Sequence, residues 1–274
     1  MNRDDALVKL SEICLNNAQE LYKSLKFCAA NNIGCFRINS QILPIKTHTE
    51  FGYDIYDIPN GENIVCLFKK CRQYSKEKGI RTSIHPDQFV VMNSPNPDVV
   101  KRSIAELEYQ AQVAEWVGAD VVNIHGGGGY GDKPKALSRF VSNLNRLSDR
   151  VRTRLTLEND DTTYTPSDLL PLCRTENIPL VYDIHHHRCN QDNIPCEEAT
   201  TKAIETWNRE PMFHISSPRQ GWSGPKPRQH HDYIDLKDFP EYWLSLKLTV
   251  EVEAKAKEFA VFKLQNQILS CFQS

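Results

Sequence analysis

The sequence predicts a closed parallel α/β barrel of the TIM (β/α)8 type, and three observations predict it. Short β-branched or apolar runs recur along the chain and alternate with stretches long enough for helices. Within several of these runs apolar and polar residues alternate, so that one face is greasy and the other carries chemistry. Histidines and carboxylates collect at the C-terminal ends of the runs, where a parallel barrel assembles its active site.

In chain order, strands are expected at 35–39 (CFRIN), 81–85 (RTSIH), 121–125 (VVNIH), 155–159 (LTLEN), 180–185 (LVYDIH), 212–216 (MFHIS) and 248–253 (LTVEVE). Helices are expected at 4–30, 62–78, 97–117, 134–150, 166–173, 196–207 and 254–271. Pro97, Pro134 and Pro166 stand at helix starts, where a missing N–H costs nothing. In the third run Val122 and Ile124 oppose Asn123 and His125, and in the fourth Leu155 and Leu157 oppose Thr156 and Glu158. Likewise Leu180, Tyr182 and Ile184 oppose Val181 and Asp183, and Val250 and Val252 oppose Glu251 and Glu253. An open doubly wound sheet would want apolar residues on both faces; a barrel puts the apolar face under the helices and the polar face in the lumen. Residues 220–231 (QGWSGPKPRQHH) read as a long loop, and with no linker or low-complexity stretch the expectation is a single domain over 1–274. Seven strands instead of eight leave the barrel one short.

Bulk composition bounds the partners. With 33 basic and 35 acidic residues the formal charge is −2, so no global basic field attracts nucleic acid, and any such contact must be local. Nine cysteines without a CxxC pair, scattered through expected helices and strands, fit reduced thiols and a cytoplasmic location. The first nine residues carry Arg3, Asp4, Asp5 and Lys9, and no long apolar run follows, so neither a secretory signal nor a membrane partner is expected.

All nine histidines lie between His48 and His231. His85, His125, His185 to His187 and His214 fall at strand ends, with Glu158, Asp183 and Glu253 in equivalent places. A lone histidine at a strand end is ordinarily a satisfied polar residue, but this many beside three facing carboxylates is not ordinary. Carboxylates without cations would repel one another, and imidazole mixed with carboxylate suits zinc, manganese or iron(II) better than calcium or magnesium. More than one divalent ion is therefore expected. Within the HHH run the spacing of Asp183 to His186 is attractive, yet the run alone does not decide among its members. The glycines 126–129 would let a phosphodiester approach the backbone, or simply serve a loop of unusual dihedrals. Arg219, Trp222, Lys226 and Arg228 would grip a nucleic-acid backbone and stack a base, or form a solvated loop.

Taken together, FRINSQILPIKTH (36–48), RTSIHPDQF (81–89), VVNIHGGG (121–128), LTLENDDTTYT (155–165), HISSP (214–218), HHDYID (230–235) and VEAKAKE (252–258) resemble the UV-damage endonuclease family, in the family's motif order from about residue 20 to the C-terminal helix. The resemblance implies a TIM barrel related to AP endonucleases and xylose isomerases, holding up to three divalent ions, typically Mn2+. Glu158, Asp183, His214 and Glu253 would hold one ion, His85, His125 and Glu158 a second, and His186 and His230 would help hold the third. His230 is chosen because the family motif reads His, any residue, Asp, Tyr. His48 would lie near the scissile phosphate as a catalytic residue with Glu158 and Glu253, while Gln88 and Phe89 match the pair that wedges into damaged double-stranded DNA. A damaged dinucleotide stacks poorly and costs less to extrude. The reaction implied is hydrolysis 5′ to a UV photoproduct, leaving a 3′-hydroxyl.

The family begins with a strand of the form RLGY, whereas this sequence begins with what reads as the following helix, so the first strand is the one expected to be lacking. Met212 stands where many members carry a lysine that is carboxylated, and Glu251 is expected to supply the missing negative charge near the ions. Two other readings remain: a metal-dependent sugar isomerase or epimerase on the same barrel, and a DNA-damage-binding module that has lost catalysis.

Overall fold

In a computed structural model that describes residues 2–271, the chain forms two compact units. The first comprises Met1–Gly127 and Pro134–Leu155, the second Gly128–Lys133 and Thr156–Ser274.

The first unit is built on three helices whose burial follows their periodicity. In α1 (Arg3–Ala30) the buried positions Ser11, Cys14, Ala18, Leu21, Leu25 and Cys28 recur three or four apart and form one stripe along the helix. Asn2 starts it by accepting the N–H of Asp5 at 2.8 Å. Strand β1 (Cys35–Ile38) leads through a loop to α2 (Gly61–Lys78), strand β2 (Arg81–Ile84), α3 (Pro97–Val117) and strand β3 (Val121–His125). Tyr22 of α1 meets Tyr74 of α2 edge to face at 5.4 Å, and Phe68 of α2 stacks on Trp116 of α3 at 6.1 Å. Burying side chains of this size stabilises by roughly 1.5–3 kcal/mol each. The three strands are parallel, with Ile38 paired to Ile84 and Ile84 to Val122. Helices α4 (Lys133–Leu144) and α5 (Asp149–Arg152) follow.

In the second unit β4 (Leu155–Glu158) precedes α6 (Pro166–Glu176), β5 (Leu180–Val181), α7 (Ile184–Cys189) and α8 (Cys196–Ile204). Next come β6 (Met212–Ile215), two 3-10 turns (Leu236–Asp238 and Glu241–Ser245), β7 (Thr249–Val252) and α9 (Glu258–Cys271). β4 and β5 run parallel, as do β6 and β7, and a parallel bridge joins Asp183 to His214. An aromatic cluster forms much of this core: Tyr182 lies 5.7 Å from Phe213, and Phe213 lies 5.5 Å from Trp243.

Each expected strand is present, with seven among the described residues, and four of the boundaries that differ do so for identifiable reasons. The helix expected over 134–150 is broken, because Glu108 of α3 takes both the N–H (2.8 Å) and the hydroxyl (2.7 Å) of Ser148 and sets it as the cap of a separate turn, α5. The helix expected from 254 starts at Glu258, because the N–H groups of Lys255 and Ala256 are engaged by the carbonyls of His231 and Asp232. Helix α8 stops at Ile204, short of 207, and Trp207 turns its indole N–H onto the carbonyl of Leu180 at 2.8 Å. The fifth strand, expected to run to 185, ends at Val181. No disulfide joins the described cysteines, and no helix among the described residues is long and apolar enough to cross a membrane.

Candidate metal centre

The early end of β5 shapes the centre. Asp183 leaves the strand and caps α7, its carboxylate accepting the N–H of His186 at 2.7 Å. Its own backbone is held on both sides by one side chain: Asn159 accepts the Asp183 N–H at 3.0 Å and donates to its carbonyl at 2.8 Å. The histidine run is therefore helical, and its members point in different directions. Position 186 is the one turned back over Asp183.

Glu158, at the end of β4, and Asp183 are both fully buried. His186 Nδ1 lies 3.3 Å from Glu158 Oε1 and 3.5 Å from Asp183 Oδ2, and 3.0 Å from the carbonyl oxygen of Asn159. From β6, His214 brings Nδ1 to 3.1 Å from Glu158 Oε1 and 3.3 Å from Glu253 Oε1. On the other edge of that ring, Nε2 is 3.3 Å from Glu251 Oε2. His230, on the loop before the 3-10 turns, reaches Glu253 Oε2 with Nδ1 at 3.6 Å. Candidate ligand atoms of Glu158, Asp183 and His186 all lie within 4.8 Å of one another, as do those of Glu158, His214 and Glu253.

Electrostatics here have the character of a cation site. Burial, reinforced by Glu158 and Glu253, pushes the Asp183 carboxyl above its usual range. Burial alone would lower His186, but Asp183 and Glu158 outweigh it and hold the imidazole well above 6.5. Asp183 Oδ2 is buried and accepts no hydrogen bond. Carboxylates and imidazoles crowded this closely fit a divalent ion, which would neutralise them and use the buried oxygen as a donor.

The two neighbours of His186 do other work. His185 is buried against the ring of Trp222 at 5.1 Å and that of His230 at 5.2 Å, and burial with nearby His230 and His186 pushes it down to about 3. His187 faces away: Nδ1 meets the Tyr182 hydroxyl at 2.7 Å and Nε2 meets Asp192 at 3.0 Å. Trp222, on the loop read either as a nucleic-acid grip or as solvated, donates its indole N–H to Asp238 at 2.7 Å and has the Arg188 guanidinium over its ring. Arg219, Lys226 and Arg228 are exposed, and Arg228 lies 3.7 Å from Asp161.

In the first unit His85 and His125, at the ends of β2 and β3, bring their rings to 5.2 Å. His85 Nδ1 lies 3.0 Å from the carbonyl of Pro86, which sets it as the protonated nitrogen. Gln88 and Phe89 ride an exposed turn after β2; Asp87 accepts the Phe89 N–H at 3.1 Å, and Phe89 is 76% exposed. His48 is exposed in the loop after β1, stacked on Phe51 at 4.9 Å. Its Nδ1 accepts the backbone N–H groups of Glu50 and Phe51 at 3.2 and 3.1 Å, so Nε2 carries the proton outward. Gly127 has a conformational need for glycine: its φ is +85°, and a Cβ there would stand 2.3 Å from Asn93 Oδ1.

Sequence reasoning missed Asn159. The signal was present in LEND, an amide directly after a candidate ligand, but its partner is the backbone of Asp183, just past the end of β5, and only the fold supplies that.

The family model for the UV-endonuclease UvdE matches residues 1–273 of this chain. A UV DNA damage endonuclease of Bacillus cereus (strain G9842) is 34% identical over 271 residues, covering 95% of this chain and 83% of the relative. Among solved structures, the crystal structure of SacUVDE superposes with a TM-score of 0.87 at 27% identity, covering 97% of this chain and 90% of that one. Endonuclease IV from Thermus thermophilus superposes at 0.67 with 14% identity, over 91% of this chain and 94% of that one, a likeness of fold alone. The fold is a TIM barrel of the endonuclease IV and xylose isomerase-like kind.

Proposed function

The chain belongs to the UV-endonuclease UvdE family, and on that premise we propose that it is a metal-dependent endonuclease that hydrolyses the phosphodiester 5′ to a UV photoproduct in double-stranded DNA and leaves a 3′-hydroxyl. The observation that carries the metal dependence is the largely buried cluster of Glu158, Asp183, His186, His214 and Glu253, whose candidate ligand atoms fall within 4.8 Å in two overlapping groups. Glu158, Asp183, His214 and Glu253 would hold one ion, His85 and His125 would join Glu158 for a second, and His186 and His230 would serve a third, with Mn2+ the expected metal. Divalent ions held there supply Lewis acidity, lowering the pKa of an attacking water and offsetting charge on the leaving oxygen. No covalent enzyme nucleophile is required.

The chain's own residues supply binding and orientation. His48 presents an Nε2 proton suited to a phosphate oxygen, because its Nδ1 is already engaged by two backbone N–H groups. Phe89, three-quarters exposed on a turn held by Asp87, would enter the duplex at a weakened step, with Gln88 beside it. The family supports this reading over the isomerase one. Residues 1–274 would work as one domain, and the DNA would be held by local cationic positions, since the net charge is −2.

The test is incision of an oligonucleotide duplex carrying one cyclobutane dimer. Nicking 5′ to the dimer, extension of the new end by a polymerase, loss of incision on chelation and recovery with MnCl2 are the expected results. Incision that survives exhaustive chelation would overturn the metal dependence, and binding without a nick would favour a damage-binding module.

A further inference from the structure

We propose that Glu251 is a positioning residue that fixes the ring of His214: it holds the proton on Nε2 and so keeps the Nδ1 lone pair for a divalent cation shared with Glu158 and Glu253. The inference rests on the metal centre described above, and names a residue outside the ligand set.

His214 and Glu251 are register partners on the parallel strands β6 and β7. Partners in register project to the same face, and Glu253, two residues on, projects to that face again. The imidazole therefore stands between two acidic positions, and its two nitrogens divide them. Glu251 Oε2 lies 3.3 Å from Nε2, while Glu158 Oε1 and Glu253 Oε1 lie 3.1 and 3.3 Å from Nδ1. A neutral imidazole has one N–H and one lone pair, and a carboxylate only accepts. A proton on Nδ1 would turn the Nε2 lone pair against the Glu251 carboxylate. A proton on Nε2 is accepted by Glu251 and aims the lone pair at the other two carboxylates, an arrangement that is sound only with a cation between them. Both side chains are nearly enclosed, His214 at 1% and Glu251 at 6% exposure, so bulk water does not compete for the contact. Glu251 is thus placed to act on the ions through the ring, instead of adding its charge to them directly. Met212, on the same inward row as His214, pairs in register with Thr249 and brings no charge.

Carboxylate partners of metal-ligating histidines raise affinity by fixing tautomer and orientation. The experiment compares the wild type with Glu251→Ala and Glu251→Gln in two measurements. In protein loaded with Zn2+, a diamagnetic stand-in, nitrogen-15 correlation spectra of the histidine rings are expected to show the His214 proton on Nε2 in the wild type and in Glu251→Gln, whose amide oxygen still accepts, and divided between the two nitrogens in Glu251→Ala. In competition titrations with Mn2+, Glu251→Ala is expected to bind about 10- to 100-fold more weakly and Glu251→Gln by a smaller factor. An Nδ1–H tautomer in the wild type, or a folded Glu251→Ala with wild-type affinity and tautomer, overturns the proposal. If Glu251→Ala does not fold, the wild-type tautomer and the Glu251→Gln affinity decide it. A wild type that binds neither ion sinks the metal centre itself, whereas a wild type that binds them with the His214 proton on Nδ1 sinks only the role of Glu251.

Discussion

His187 and Asp192 show what becomes of a histidine beside the cluster but not aimed at it. Asp192 is partly buried, yet the N–H groups of Ser167 and Ile194 and the His187 ring hold its carboxyl down to about 2, while hydrogen bonds to Cys196 and Asp192 overcome burial and raise His187 above 6.5. A depressed carboxyl contributes stability that is present above its unfolded value of 3.8 and lost as the pH falls through about 2. A raised imidazole contributes stability that is present below 6.5 and lost as the pH rises through its folded value. The pair is therefore worth most between these limits, and Asp192→Asn is expected to cost roughly 2 kcal/mol near pH 5.5 and clearly less at pH 8.5. Urea unfolding of the metal-free protein at the two values checks this. At this scale the sequence indicated chemistry better than direction. Asp183 and His186 stood out by spacing, but the separate fates of His185 and His187 depend on the turn of α7, and the partner of Glu251 depends on a register that no single strand reveals.

Elements were legible where periodicity ran long and obscure where a side chain replaced a backbone partner. The stripe of α1 and the alternation of β3, β4 and β7 are readable from residue types alone. The end of β5 is not, because Asp183 satisfies an N–H of α7 and thereby trades a strand for a helix within two residues. The loop after β3 yields a test of the same kind. At Gly127 the backbone takes a φ of +85°, and an added Cβ would meet Asn93 Oδ1 at 2.3 Å and Val91 Cγ1 at 2.9 Å. Gly127→Ala should destabilise by about 1–3 kcal/mol, through strain and collision together. At Gly129 the nearest contact would be Thr163 at 3.4 Å, so Gly129→Ala should stay within about 0.5 kcal/mol. Thermal melts of the two variants, side by side, separate a conformational need from a merely small residue.

For the molecule as a whole, the crowding of Glu158, Asp183, Glu251 and Glu253 would tie stability to a divalent cation held there. At a free Mn2+ concentration about 100 times the dissociation constant, binding to the folded state alone should add about 2.7 kcal/mol. For a chain of this size that raises the melting temperature by roughly 5–10 °C, and Glu158→Ala, which strikes both candidate ligand groups, should abolish the rise. Calorimetry with and without MnCl2 reads it directly. The barrel class was legible in the sequence because greasy and polar faces alternate in run after run, a pattern that no single boundary error disturbs. One consequence lies in the amide of Asn159, which serves as a rung of the ladder after β5 has ended and holds both backbone groups of Asp183. With Asp183 anchored from behind, the segment between α7 and α8 does not have to keep that carboxylate in place, and its surface can vary while the carboxylate stays where it is.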